Sequence, residues 1–382
     1  MEFPYGRLRR RPDVEAENLQ AYDATDLLLV DRALALDVPG EEITVIGDEY
    51  GAITLALTAG GHAGVRVHQD LATGRRALDL NAAELGLTGF ASHELDAELL
   101  TGARLVLLQL PKSLAELEEV ADAVARWAAP NVVLVAGGRV KHMTLAQNEV
   151  LARSFAVVQA QRAERKSRLI IASEPRDAAG EPPFPVRQQH DGLTLVAHGG
   201  AFAGAKLDIG TRVLLDALGL GRGGADPGAE AGDAPGASPP TVVDLGCGTG
   251  ALAVSYALAH PDVRVIATDR SAAAVASARA TAAANGIAGR IDVMHDDAAS
   301  EVSDRSADVV LLNPPFHLGT SVHTGAAIRL FEAAARILRP GGELFTVYNS
   351  SLGYRAELTR LVGPTEQVHR TPKFTVTRSI RR

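Results

Sequence analysis

Apolar residues fall along this chain in short blocks that alternate with longer amphipathic or small-residue stretches. From Thr241 onward the blocks TVVDLG, VRVIATD, IDVMH, ADVVLLN and GELFTVYN are rich in Val, Ile and Leu and predict buried strands. Between them, ALAVSYALAH, AAAVASARATAAANG and the stretch after Ala326 predict helices. Strand and helix taken in turn predict an α/β domain, a parallel sheet with helices on both faces. Upstream, Thr211 to Leu218 predicts one more helix. Between that helix and Thr241, residues 221–240 read GRGGADPGAEAGDAPGASPP. This Gly/Ala/Pro/Asp run offers nothing to bury and reads as a disordered insertion.

The first half carries a weaker copy of the same plan. ITVIGDEYGAITLAL can be laid over VVDLGCGTGALAV with Gly47 on Gly246 and Gly51 on Gly250. Asp70 follows Gly47 by 23 residues and ends VRVHQD; Asp269 follows Gly246 by the same 23 and ends VRVIATD. LVLLQLPK falls where DVVLLNPPF falls, which sets Gln109 against Asn313. We read two α/β domains of one ancestry, 1–187 and 188–382. The copies differ where a ligand would lie. Val45 matches Asp244 and Glu49 matches Gly248, so the first copy is expected to be degenerate and free to act as a binding platform.

Composition adds limits. Of the 382 residues 46% are hydrophobic and 22% charged, a globular balance with room for two cores. A single cysteine, Cys247, excludes an intramolecular disulfide and a cysteine-rich zinc site, and the histidines do not cluster at metal-ligand spacing, so no metal is expected. The basic cluster Arg7, Arg9, Arg10 and Arg11 has no apolar stretch behind it, and no run approaches a membrane span of ~18 residues. A cytoplasmic location is expected.

Net charge is −8, which argues against a generic nucleic-acid coat protein. Basic residues nonetheless concentrate at Arg139, Lys141, Arg153, Arg162, Arg165, Lys166 and Arg168, and again at Arg370, Lys373, Arg378, Arg381 and Arg382. Solvated faces are one reading of these clusters. Contact with phosphates is the other, with Arg162, Arg165 and Arg168 as its candidates.

Asp244-Leu245-Gly246-Cys247-Gly248-Thr249-Gly250 lies between a strand and a helix. Gly246, Gly248 and Gly250 let the backbone approach a ligand at the carboxyl end of the sheet. With Ala251 the loop also meets a relaxed dinucleotide fingerprint, and Asp269 could hold the ribose of either NAD or S-adenosylmethionine. Asp244 breaks the tie, since its carboxylate can help bind the cationic amino end of a methionine moiety; a helix-capping role is its structural alternative. Asn313-Pro314-Pro315-Phe316 is the second discriminator, because a dehydrogenase has no use for it. Cys247 reads as structural.

DLGCGTG together with NPPF resembles the class I S-adenosylmethionine-dependent methyltransferases that act on amino groups. The resemblance implies Asp269 for the cofactor ribose and, in HDDA, Asp297 or Asp296 for its adenine; Asp297 is favoured, with Asp296 a solvated strand-end residue. It implies Asn313 and the Pro314 carbonyl as acceptors for the hydrogens of the attacked amine. Phe316 offers a stacking face worth ~1–3 kcal/mol. Over its whole length the chain resembles the two-domain rRNA guanine-N2 methyltransferases. NPPFH (adding His317), Phe202 with the Leu-Asp-x-Gly element at Asp208, the segments LPKSLAELE and AGGRVKH, and the C-terminal KFTVTRSI carry this likeness. Phe202 and Asp208 are thereby implied over the active site, while a helix N-cap is the alternative for Asp208. His323 and Arg329 have no such support.

The implied protein is a monomeric cytoplasmic enzyme of two tandem Rossmann-like methyltransferase domains. It would use S-adenosyl-L-methionine to form N2-methylguanosine in rRNA, the large subunit favoured over the small, with protein-free or partly assembled rRNA as partner. Three rivals stand beside it. A glutamine methyltransferase acting on release factors would carry NPPY and a small helical first domain. A small-molecule amine methyltransferase leaves the basic first domain unexplained, and a non-enzymatic RNA-binding protein leaves the cofactor loop and NPPF without use.

Overall fold

A computed structural model describes residues 3–178, 180–221, 239–315 and 321–382, the last range without the side chains of residues 321–324. The expected insertion (but for Gly221, Pro239 and Pro240), Phe316 and His317 lie outside the described residues. The chain divides into two compact units, Met1–Phe184 and Pro185–Arg382. The division comes before the expected 187/188, because Val186–His190 (β8) already pairs with Leu193–Ala197 (β9) of the second unit.

In the first unit the strands are β1 (Ile43–Ile46), β2 (Val65–His68), β3 (Phe90–Ser92), β4 (Leu105–Gln109), β5 (Val133–Arg139), β6 (Phe155–Ala160) and β7 (Ser167–Pro175). They form one sheet in the order β3-β2-β1-β4-β5-β7-β6. Helices α1 (Ala24–Leu36), α2 (Ala52–Ala59), α3 (Ala72–Leu85), α4 (Ala97–Leu100), α5 (Leu114–Trp127) and α6 (Leu145–Ser154) accompany it. One face buries Leu29, Ile53 and Leu78 of α1–α3, and the other buries Leu117, Val124 and Leu151 of α5 and α6.

The second unit repeats the plan. Beyond the β8–β9 hairpin come α7 (Ile209–Ala217), β10 (Thr241–Leu245), α8 (Ala251–Ala259), β11 (Arg264–Asp269), α9 (Ala272–Ala284), β12 (Ile291–His295), β13 (Ala307–Leu312), α10 (Ser321–Ile337), β14 (Leu338–Asn349), α11 (Arg355–Leu361), β15 (Thr365–Arg370) and β16 (Phe374–Ile380). The sheet order is β12-β11-β10-β13-β14-β16-β15, the same permutation as in the first unit. A parallel sheet was expected. The sheet is parallel through β14, and β16 then inserts antiparallel between β14 and β15. A hairpin has no crossover helix and can only be antiparallel.

Period-two alternation assigns the strand residues to faces. Val242 of β10 and Leu311 of β13 join the core under α7–α9, and Val243 and Leu312 join the core under α10 and α11. Asp244 and Asn313, two residues further along each strand, therefore fall on the α7–α9 side. Phe331 of α10 is wholly buried on the other side, edge-on to Tyr354 at 5.2 Å.

Among the described residues the β8–β9 hairpin has no third strand. The polar stripe Ser277, Thr281 and Asn285 of α9, spaced four residues apart on one helix face, closes its edge instead. The backbone N–H groups of His198, Val196 and Thr194 donate to these three side chains at 2.9, 3.0 and 3.0 Å. Asn285 returns a bond to the Thr194 carbonyl at 2.7 Å. The stripe anchors the start of the loop that runs from His198 to Asp208, which carries Phe202.

Candidate active site

Order reverses between β10 and β13, the point at which open α/β sheets form a crevice at the carboxyl ends of their strands. The glycine loop leaves β10 on one side, and Asn313 leaves β13 on the other. Gly246 and Cys247 both donate their N–H groups to the Thr268 carbonyl of β11, at 2.8 and 2.9 Å. Gly250 opens α8 at φ +78°, and a side chain there would meet Ala278 at 3.0 Å. Cys247 is buried, and burial pushes its thiol well above the ordinary range. That thiol is no nucleophile.

Whether these residues fit a cofactor can be judged from the space around them. A Cβ on Gly246 or Gly248 would meet nothing within 4 Å, so the loop borders an open cradle. In the first unit a Cβ on Gly47 would lie 3.2 Å from the side chain of Gln109 and 3.3 Å from its carbonyl oxygen. The chain itself crowds the loop there, and Glu49 stands where Gly248 stands in the second unit. The cradle of the second unit fits a ligand that lies against backbone.

Two carboxylates, Asp269 and Asp244, are bonded to that loop and the helix after it, and a third candidate, Asp297, follows β12. Asp269 ends β11 and accepts the N–H of Gly248 and of Ser271, each at 2.9 Å, which ties the loop to the strand end. Asp244 is fully buried, accepts the Ala253 N–H of α8 at 2.9 Å through Oδ2, and leaves Oδ1 without a partner among the described residues. Burial, with Asp269 adding to it, pushes its carboxyl up to about 7 against the pull of the Ala253 N–H. Asp244 is thus a cap for α8, the structural alternative, and keeps one free oxygen besides. Asp297 is half-buried and forms an ion pair with Arg329 of α10.

Asp296 departs from the expectation of a solvated strand-end residue. It is buried and accepts from the Ser300 hydroxyl and from the Glu301 N–H at 2.8 Å, closing the turn after β12. With both oxygens engaged, it serves the turn.

Asn313 Nδ2 donates to Thr211 Oγ1 at 2.9 Å and to Asp208 Oδ2 at 3.1 Å. The same Asp208 oxygen accepts the Thr211 N–H at 3.2 Å, so Asp208 caps α7 and reaches the strand end at once. Asn313 Oδ1 is withdrawn from solvent and has no partner among the described residues. An unpaired buried acceptor costs about 1–3 kcal/mol, which a donor from outside would offset. Pro314 is buried beside it, and a proline fixes φ and stiffens the loop. Phe202 is 66% exposed in the loop before α7.

Of the basic residues, Arg162 and Arg165 are exposed at the β6–β7 hairpin. Arg165 and Lys166 form its tip at φ +49° and +62°, closed by mutual bonds of Glu164 and Ser167. Arg168 is half-buried on β7 with its Nε enclosed, so it is not part of an open patch. Arg378 is bound by Glu343 and Glu366, which neutralises the centre of the C-terminal cluster. Among the described residues no His, Cys, Asp and Glu group could hold a metal, and no helix is long and apolar enough to cross a membrane.

Thr211 did not stand out in the sequence, Gly210 figured only as the glycine of the Leu-Asp-x-Gly element, and Arg329 was named without support. Thr211 lies three residues after Asp208 in the first turn of α7, and that spacing was the available signal. Arg329 had none.

Comparison with known proteins gives the family and the fold. The family described as Methyltransferase small domain matches residues 192–378, and the RLMG N-terminal domain matches residues 2–176. The Ribosomal RNA large subunit methyltransferase G of Streptomyces coelicolor is 35% identical over all of both chains, and that of Pseudomonas fluorescens is 35% identical over 98% of each. Among solved structures, the T. Thermophilus 16S rRNA N2 G1207 methyltransferase (RsmC), in complex with AdoMet and guanosine, covers 99% of both chains with a TM-score of 0.70 at 22% identity. It shares the fold. With a full-length sequence match to the curated relatives and both halves matched by their domain families, this chain belongs to the ribosomal RNA large subunit methyltransferase G family.

Proposed function

We propose that this protein transfers a methyl group from S-adenosylmethionine to the exocyclic N2 amine of a guanine in large-subunit rRNA. The observation that carries the reading is Asn313: its amide nitrogen is held by Asp208 and Thr211, and its oxygen is buried without a donor among the described residues. S-adenosylmethionine supplies a methyl group activated by the sulfonium to which it is bonded. The open backbone at Gly246 and Gly248 accommodates the methionine end, with the free oxygen of Asp244 toward its cationic amino group. Gly250 starts the helix behind it. Asp269 takes the ribose hydroxyls and Asp297 the adenine.

An amine conjugated with a purine ring is a poor nucleophile. Asn313 Oδ1 and the Pro314 carbonyl, by accepting its two hydrogens, favour the pyramidal geometry that frees its lone pair. They are held in place beforehand, so little reorganisation is needed at the moment of reaction. The amine loses its proton to solvent, and no general base of this chain is required. Phe316 and His317 of the NPPFH motif, with the exposed Phe202, would hold the base once it has left its stack.

The first unit serves as the RNA platform through Arg162 and Arg165 at the exposed hairpin. Its own glycine loop is crowded by Gln109. The target subunit follows the names of the curated relatives. The protein acts in the cytoplasm as a monomer on protein-free or partly assembled rRNA, in which bases are accessible.

Incubation of the protein with labelled cofactor and unmodified rRNA, followed by nucleoside analysis, tests the reading. N2-methylguanosine in large-subunit rRNA is expected. N6-methyladenosine would remove guanine, label only in small-subunit rRNA would move the target, and label in a release factor would overturn the RNA reading. Asn313→Ala should reduce transfer by roughly 10²-fold or more while cofactor affinity stays.

A further inference from the structure

We infer that Thr211 and Asp208 are positioning residues that orient the side-chain amide of Asn313 for the reaction. The inference rests on the reading of Asn313 given above and extends it to which way that amide faces. An amide has two ends of similar shape and opposite hydrogen-bonding sense, so only its neighbours decide which end faces the substrate. A carboxylate oxygen accepts and does not donate. With Asp208 Oδ2 3.1 Å away, the Asn313 end that faces it must be the NH2 group, since the reverse would set two acceptors against each other. Thr211 Oγ1, at 2.9 Å, takes a bond from the same nitrogen. The oxygen is thereby left free, and it is the end that can receive an amine hydrogen.

The local sequence is built for this contact. Asp208 and Thr211 sit three residues apart at the start of α7, so the carboxylate that caps the helix also places the hydroxyl. Between them, a Cβ on Gly210 would come within 3.0 Å of Asp208 Oδ2 and 3.1 Å of Asn313 Oδ1. Any larger residue there would press on the amide. The Leu-Asp-x-Gly element and Thr211 thus act as one latch on the end of β13.

The first unit repeats the latch. Gln109 ends β4 in the register that Asn313 takes just after β13, and its Nε2 donates to Asp26 on the first turn of α1, with Asp23 as the N-cap. There Gln109 also crowds Gly47, where an added Cβ would lie 3.2 Å from its Cβ and 3.3 Å from its carbonyl oxygen. The same device therefore recurs with another side-chain length, and only in the second unit does it border an open cradle.

The full-length protein, assayed on unmodified large-subunit rRNA, supplies the test, with kcat, KM for RNA, calorimetric cofactor affinity and melting temperature measured on every variant. Thr211→Val keeps the shape and removes the hydroxyl; kcat is expected to fall roughly tenfold, the loss of about one hydrogen bond. KM and cofactor affinity should stay within about twofold. Thr211→Ser restores the hydroxyl and should restore kcat. The double variant Thr211→Val/Asn313→Ala should be no slower than Asn313→Ala alone, because Thr211 acts only through Asn313.

A Thr211→Val enzyme with wild-type kcat, beside an inactive Asn313→Ala, would overturn the latch and leave the reading of the site intact. So would a double variant whose losses multiply. Normal turnover by Asn313→Ala would sink the reading of the site and the latch with it. Should Thr211→Val fail to fold, Asp208→Asn carries the test. Its amide can present NH2 to a turned Asn313, so kcat should fall with KM unchanged; unchanged kcat would overturn the inference.

Discussion

Asp48 of the first unit does the work of Asp244 in the second, from the other side of the glycine. Each buried carboxylate accepts the N–H of the third residue of the helix beyond the loop, from Thr54 at 2.7 Å and from Ala253 at 2.9 Å. Asp244 stands two residues before Gly246, and Asp48 one residue after Gly47. The N-terminus of the helix, with its unpaired N–H groups and positive dipole end, receives an acceptor in both units. Only the position of that acceptor in the chain has changed.

Asp244 leads to a prediction about protons. Its carboxyl is pushed up to about 7 by burial. A cationic amino group beside its free oxygen favours the ionised form, so cofactor binding near pH 6.5 should release a proton. Titration calorimetry in two buffers of different ionisation heat should give different apparent enthalpies, and the difference should vanish in Asp244→Asn. Equal enthalpies for the wild-type protein would exclude Asp244 from the cofactor site.

Gln69, and not the expected Asp70, holds the strand end equivalent to Asp269: Gly47 donates to the His68 carbonyl as Gly246 does to that of Thr268, and Gln69 accepts the Leu71 N–H as Asp269 accepts that of Ser271; only Asp269 borders an open cradle. Asp269→Ala removes an acceptor for the Gly248 and Ser271 N–H groups as well as the proposed ribose contact. A loss of charge-assisted hydrogen bonds of about 1.5–3 kcal/mol should weaken cofactor binding by roughly one to two orders of magnitude. Gln69→Ala at the equivalent position, and Asp70→Ala beside it, should leave affinity unchanged, with one cofactor bound per chain. Two sites per chain, or equal losses, would mean that the first unit also binds.

Asp26 predicts a pH dependence of stability. Burial, then the charge of Asp48 and, less strongly, that of Asp23, push its carboxyl up to about 8, against the N–H of Asp23 and the amide of Gln109, which lower it. The folded form keeps a proton that the unfolded chain loses near pH 3.8. The stability this contributes is complete below about pH 4 and is lost as pH rises to about 8. Asp26→Asn, which resembles the protonated acid, should flatten that decline and melt higher at pH 8, by roughly 2–4 °C per kcal/mol recovered. Parallel melting profiles from pH 4 to 8 would count against a protonated Asp26.

The hairpin tip predicts how RNA is held. Arg162→Glu/Arg165→Glu should weaken binding of related and unrelated RNAs alike and reduce the slope of log affinity against log salt by roughly 1.4–1.8, if both residues contact phosphate. Arg168 is half-buried on β7, so its replacement would confound binding with folding and is left out of this test. Unchanged affinity would move the platform off this hairpin.

Much of this protein is legible before any folding is considered. Strand blocks, helices, the glycine loops and the repeat are local patterns, set by side-chain periodicity and by backbone freedom within a few residues. NPPF and DLGCGTG are likewise contiguous, and chemistry could be attached to them directly. What needed the tertiary structure are contacts between distant residues. Asn313 and Thr211 are 102 residues apart, and the fold joins them because Asn313 falls on the face of the sheet against which α7 packs. Asp297 and Arg329 meet across 32 residues as strand end and helix close on each other. Aligned by sequence, Val45 hides the acceptor that Asp48 provides, because a helix N-terminus requires an acceptor in space and places no demand on where in the chain it originates. Asp296, whose sequence context looks solvated, is buried because the turn after β12 needs both of its oxygens.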